Sequence, residues 1–145
     1  MRFKDTLGLS LYLRNLQNEM HKRIDANLKP LHLTSAQYST LSAIEEGDAK
    51  AITSAALARS CYVTPQTMNR ILHNLNDDRF VHRSPEAKQS YALTKKAIAT
   101  LCDSHILVND LECKMVAGFS KKETQQLLSF LKRCFENLHE APKKA

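Results

Sequence analysis

Hydrophobic positions recur at three- and four-residue steps over most of this chain, the spacing of helices that bury one face. Leu9, Leu13, Leu16, Met20, Ile24 and Leu28 predict a long amphipathic helix from Thr6 to Leu28. Lys29-Pro30 ends it, because the residue before a proline is pushed out of helical geometry. Thr34 caps a second helix with Gln37 three residues on, the capping-box spacing. Tyr38, Leu41 and Ile44 form its inner face, and Gly47 stops it. A short extended piece at Ala51-Ile52 precedes a third helix, capped by Thr53 or Ser54 and carrying Leu57 inward. Ser60 to Val63 connect tightly to a fourth helix, with Thr64 as cap. Pro65 takes its first position, where a missing N–H costs nothing. "RFVHRSPEAKQSYALT" reads as two short strands around a polar turn from Ser84 to Lys88. Thr94 caps a fifth helix with Ile98, Leu101, Val108, Leu111 and Met115 on its apolar side, and Gly118 ends it. Ser120 and Glu123 form a capping box for a sixth helix. Leu127, Leu131, Cys134 and Leu138 line one side of it, widened by Leu128 and Phe135.

The fourth helix divides sharply. Met68, Ile71, Leu72 and Leu75 fall at i, i+3, i+4 and i+7 on one side. Gln66, Arg70 and His73 fall opposite, flanked by Thr67, Asn69 and Asn74. Gln and Asn can bond an adenine edge in two places, Arg does the same for guanine, and Thr meets a thymine methyl or a phosphate. A merely solvated face is usually rich in Glu and Lys; this one has no acid until Asp77-Asp78 at its far end. Two short helices with a tight connection make a helix-turn-helix, and a strand pair after the second makes a wing. The fold class is therefore mainly α with a small β-hairpin: a winged helix-turn-helix. Gln66, Thr67, Asn69, Arg70 and His73, entering from Pro65, are the candidate base readers in a major groove. Thr53, Ser54, Thr64, Arg83 and Lys88 are the candidate phosphate anchors.

Composition agrees. The 145 residues suit one domain, 43% hydrophobic residues suffice for a core, and three Gly and four Pro favour helices. A net charge of +6 suits an anionic partner, and residues 61–100 hold six Lys or Arg against three Asp or Glu. No apolar run approaches the roughly 18 residues of a membrane span. No cleavage site follows the charged N-terminus, so no signal peptide or membrane association is expected. Four cysteines without CxxC spacing fit a reduced, cytoplasmic setting. No phosphate loop, nucleophile elbow or HExxH is present, so an enzyme is not expected. Nothing calls for a cofactor, and the six His show no metal-ligand spacing.

The order and spacing of "LKPLHLTSAQYSTLSAI", "LARSCYVTPQTMNRILHNL", "FVHR…YALT" and "GFSKKETQQLLSFLKRCFENL" resemble the MarR/SlyA family of winged helix-turn-helix regulators across nearly the whole chain. The resemblance implies one regulator domain. Residues 34–93 would bind DNA, and residues 1–30 and 94–140 would supply dimerisation helices. It implies a homodimer reading a pseudopalindromic operator in double-stranded DNA, a repressor relieved by a small ligand or an oxidant. Physically, a winged core cannot cover the apolar stripes of the first and last helices alone, so pairing follows. The family pattern also places a ligand pocket where the first, second and fifth helices meet, within reach of Tyr12, Arg14, Tyr38 and His105; core packing accounts for the tyrosines equally well, and His105 also reads as a buried, hydrogen-bonded core group. Two departures stand out. The wing tip SPEAKQ is short and lacks the usual Asp-x-Arg, leaving Lys88 as substitute, and Arg79 stands where the family often has Gly. A left-handed backbone there would fall to Asp78 or Arg79.

Cys61 precedes the recognition helix, where oxidation would misplace it, and Cys102 shares a helical face with Cys113 eleven residues on. Cys61 and Cys102 are thus the candidate redox residues, against the plainer reading of all four cysteines as small structural groups. Two other functions remain open. A winged-helix protein-interaction module that has lost operator binding is suggested by the short wing. A sequence-blind architectural DNA binder would have a Lys-rich recognition face, which this helix lacks.

Overall fold

A computed structural model describes residues 8–47, 51–87 and 89–139. The elements run α1 (Leu9–Leu28), a 3₁₀ turn (Lys29–Leu31), α2 (Ser35–Glu46), β1 (Ile52–Thr53), α3 (Ser54–Ser60), α4 (Pro65–Asp77), β2 (Val81–Arg83), β3 (Ser90–Leu93), α5 (Lys95–Met115) and α6 (Lys121–His139). This is the mainly α winged fold expected, with one addition. The extended piece before α3 is a third strand, and the sheet order is β1-β3-β2. β1 pairs antiparallel with β3 through Ile52↔Tyr91 and Thr53↔Ser90, while β2 pairs with β3 through Val81↔Leu93, His82↔Ala92 and Arg83↔Tyr91. The chain packs as two compact units, one reaching Leu111 and the other starting at Glu112.

The helix starts follow local chemistry. Thr34 and Gln37 bond each other's backbone N–H at 3.1 and 3.0 Å. Thr53, not Ser54, caps α3, accepting from Ala56 N–H at 3.1 Å. Thr64 accepts from Thr67 N–H at 3.2 Å with Pro65 at the first position. Ser120 and Glu123 close the last box at 3.1 and 2.8 Å. α1 begins at Gly8, which takes φ 91 and supplies no side-chain cap; Thr6 lies outside the described residues.

The helix ends are less ordinary for so glycine-poor a chain. Phe80 N–H donates to Leu75 O at 2.8 Å and Arg79 N–H to Asn76 O at 3.1 Å, the Schellman pattern, with Arg79 at φ 62. Val63 N–H to Ala58 O and Tyr62 N–H to Arg59 O repeat it after α3, with Tyr62 at φ 54. Leu33 N–H to Leu28 O and His32 N–H to Lys29 O repeat it once more, with His32 at φ 58. Of the two residues expected to turn left-handed before β2, Arg79 is the one that does. Arg79→Gly is expected to raise stability by about 0.5–1 kcal/mol, since relief of left-handed strain exceeds the added freedom of the unfolded chain. Urea unfolding reads this directly, and a loss of stability would assign the Arg79 side chain a contact that offsets its strain. Gly47, by contrast, ends α2 in extended geometry (φ −66, ψ 134), where any residue fits.

The core of the first unit gathers Leu28, Leu41, Leu57, Met68, Leu72, Leu75, Phe80 and Leu101, all at most 2% exposed. The four apolar positions predicted for α4 are its four buried residues. Two stripes behave differently. In α1 only Leu28 is buried, and Leu9, Leu13 and Leu16 stay exposed. In α5 the buried line is Ala97, Leu101, Ser104, Val108 and Leu111. Ile98 and Met115, expected inside, are exposed: Ile98 lies one residue, about 100°, off that line, and Met115 continues the line beyond Leu111, where the first unit ends. α6 has no buried residue and exposes Leu128, Phe130, Leu131, Phe135 and Leu138. Among the described residues no helix is long and apolar enough to cross a membrane.

Candidate nucleic-acid interface

With its apolar side committed to the core, α4 turns Gln66, Asn69, Arg70 and His73 to solvent. Thr67 is half-buried and is held by the Thr64 hydroxyl at 3.0 Å, so it belongs as much to the cap as to the outward face. His73 Nε2 lies 3.3 Å from Asp77 Oδ2. The acid at the far end therefore engages the last of the predicted readers.

The hairpin stands beside this face and leaves a cleft of about 480 Å³. Pro65, Asn69, His73 and Asn76 line it from α4, Ser54 from α3, and Arg83, Gln89 and Tyr91 from the hairpin. Arg83 and Tyr91 are direct cross-strand partners, and the guanidinium carbon sits 5.8 Å from the Tyr91 ring centroid, a cation–π distance. Arg83 thus faces the cleft from the base of the hairpin. Lys88, the other expected wing cation, lies outside the described residues. Ser54 Oγ donates to Asn69 Oδ1 at 2.7 Å. Of the expected phosphate anchors, Thr53 and Thr64 have their hydroxyls occupied by helix capping. Asn76, Gln89 and Tyr91 were not singled out by sequence. Asn76 lies seven residues, two turns, after Asn69 on the same helix face, a signal that was available; Gln89 and Tyr91 depend on strand register.

A second cavity, about 830 Å³, lies behind α4 in the same unit. Tyr38 and His105, expected together, do meet there. Their rings pack edge to face at 5.6 Å. His105 Nε2 approaches Glu45 Oε2 at 2.7 Å, and the Tyr38 hydroxyl approaches His105 Nδ1 at 2.9 Å. A carboxylate only accepts, so Nε2 carries the proton, and in the neutral ring Nδ1 accepts the tyrosine O–H. His105 is half-exposed rather than buried. Tyr12 and Arg14 do not line this cavity: both are exposed near the start of α1. Gln17 and His21, further along α1 and 2.9 Å apart, line it instead. Cys61, Val63 and Ile71, from the turn into α4 and its buried side, also line it. Among the described residues Ser42 Oγ, also in the wall, is buried without a hydrogen-bond partner.

The cysteines depart from the expected pattern. Cys102, Cys113 and Cys134 are exposed. Burial pushes the Cys61 thiol up, outweighing the opposing Thr40 hydrogen bond. A raised thiol holds less thiolate and is the less reactive form, which weighs against Cys61 as the oxidant-responsive residue.

Residues 32–90 match the model of the MarR family. The chain is similar to the Mycobacterium tuberculosis MarR family protein Rv2887, crystallised in complex with DNA, at 27% identity and TM-score 0.70, over 92% of this chain and 98% of that one. Rv2887 crystallised with salicylic acid aligns at 26% identity and TM-score 0.68, over 88% and 97%. The reduced form of MarR from E. coli aligns at 28% identity and TM-score 0.73, over 88% and 92%. No curated protein matches the chain.

Proposed function

We propose that this chain is a regulator of the MarR family, whose model residues 32–90 match, and that it binds double-stranded DNA sequence-specifically as a homodimer, each copy reading half of a pseudopalindromic operator. The observation that carries the reading is the outward face of α4. It sets Gln66, Asn69, Arg70 and His73 on a helix braced by a fully buried opposite side, beside a cleft floored by Arg83 and Tyr91. A recognition helix needs that division between a rigid inner face and a hydrogen-bonding outer one. The DNA complex of Rv2887 supports it. The exposed apolar faces of α1 and of α6 support pairing, since each is a surface that a second copy can cover.

In vitro selection of bound duplexes tests the proposal. A palindrome is expected to emerge, and Arg70→Ala is expected to weaken binding to it by about 1–3 kcal/mol, with base preference relaxed at one position of each half-site. An Arg70→Ala protein that binds the selected site as well as the parent removes Arg70 from the reading set.

The reading extends to repression relieved by a small aromatic acid or phenol. Tyr38, His105 and the unpartnered Ser42 hydroxyl offer polar anchors in a cavity that Ile71, on the buried side of α4, also lines. Salicylic acid on Rv2887 supports that ligand class. A second reading is an interaction module without an operator. It is favoured by the short turn between β2 and β3, whose described residues include no arginine. Absence of any shift on duplex DNA at low salt would select it.

A further inference from the structure

We propose that Ser54 is a positioning residue that restricts which base Asn69 reads, by holding one end of the Asn69 amide back toward α3; this rests on the DNA-reading role of α4 proposed above. Ser54 opens α3, and its Oγ donates to Asn69 Oδ1 at 2.7 Å across fifteen residues of sequence. Ser54 is itself anchored. Its backbone N–H donates to the Gln89 carbonyl at 3.1 Å, and the preceding Thr53 is paired with Ser90 in the sheet. The hydroxyl that holds Asn69 is therefore fixed by the hairpin, not by α4. Ser54 is half-buried while Asn69 is exposed, so the bond holds the Oδ1 end of an outward-facing amide.

An unrestrained Asn selects adenine with two bonds in one plane: its oxygen accepts from N6–H and its amide N–H donates to N7. With Oδ1 turned toward Ser54, the outward end of Asn69 is the NH₂ group, which only donates. The edges that answer it carry acceptors: guanine with N7 and O6, or thymine with O4. Adenine keeps one acceptor of its pair, and cytosine presents a donor against a donor. The base facing Asn69 is therefore guanine or thymine ahead of adenine, and Ser54 is what removes adenine's second bond.

Duplexes selected from a random library by the parent, Ser54→Ala, Ser54→Thr and Asn69→Ala test this. The parent is expected to enrich guanine or thymine at the one position whose preference Asn69→Ala erases. Ser54→Ala frees the amide to rotate, and adenine there is expected to gain roughly tenfold over the parent's preferred base. Ser54→Thr keeps the hydroxyl and should keep the parental preference. Melting temperature should match the parent in Ser54→Ala, which separates reorientation of one amide from damage to the fold. The proposal is overturned by a Ser54→Ala profile identical to the parent's, by an adenine preference in the parent itself, or by an Asn69→Ala profile unchanged everywhere. A parent that enriches no sequence overturns the DNA-reading role as well, and that outcome is distinct from the others.

Discussion

Phe80→Ala is expected to destabilise the first unit by about 3–5 kcal/mol, the range for removing a fully buried aromatic side chain and leaving a cavity. Phe80 is 2% exposed and is the bulkiest of the fully buried side chains. It is also where three elements join. Its N–H closes the end of α4 on Leu75 O at 2.8 Å, and its carbonyl accepts Thr94 N–H at 3.1 Å as α5 begins. Lys96 Nζ, which donates to Asp78 O at 2.7 Å, lies 4.4 Å from the ring centroid. Loss of the ring thus removes core contacts and a cation–π contact together, and loosens α4 against the hairpin. Urea unfolding should show a lower midpoint at unchanged slope. Phe80→Leu, which refills much of the volume, should recover a large part of the loss. A drop below about 1 kcal/mol for Phe80→Ala would mean that neighbours collapse into the space and that this junction does not set the α4–hairpin angle.

Leu131→Glu is expected to convert the proposed homodimer to monomer at micromolar concentration. The 19-residue helix α6 buries none of its side chains, and Leu131 sits among Leu128, Phe135 and Leu138 on its apolar stripe. A charge placed within a paired apolar face loses its water without gaining a partner, a penalty of several kcal/mol per copy. Leu131→Glu should keep its helical circular dichroism, because an exposed Glu is a good helix former. It should lose affinity for a palindromic site on the order of 100-fold, since each half-site must then be held separately. Light scattering and titration on full and half sites read both effects. A parent that is already monomeric, or a variant that still pairs, would take α6 out of the interface.

Much of the local architecture was legible because the signals are short-range. Thr34 with Gln37, Thr64 with Pro65, and Ser120 with Glu123 each satisfy orphan helix N–H groups within one turn, and all three caps form as read. The inner face of α4 was legible for the same reason: four apolar residues at helical spacing have one way to turn. The stripe of α5 was legible in its middle, where Leu101, Val108 and Leu111 are buried, but not at its ends: Ile98 is as apolar as these, and only the shape of the packed core selects Ala97 and Ser104 in its place and stops short of Met115.

Sequence by itself determined where α2, α4, α5 and α6 start and which side of α4 is free. Tertiary structure alone decided the pairs that span the chain: Ser54 on Asn69, Arg83 over Tyr91, and Glu45 and Tyr38 on His105. It also replaced Tyr12 and Arg14 with Gln17 and His21 in the cavity wall, because which turn of α1 faces α2 depends on how the two helices pack. The division has one physical cause. Caps and helical faces are settled by groups within a turn of one another, whereas strand register and helix packing bring together residues whose separation in sequence carries no trace of the contact.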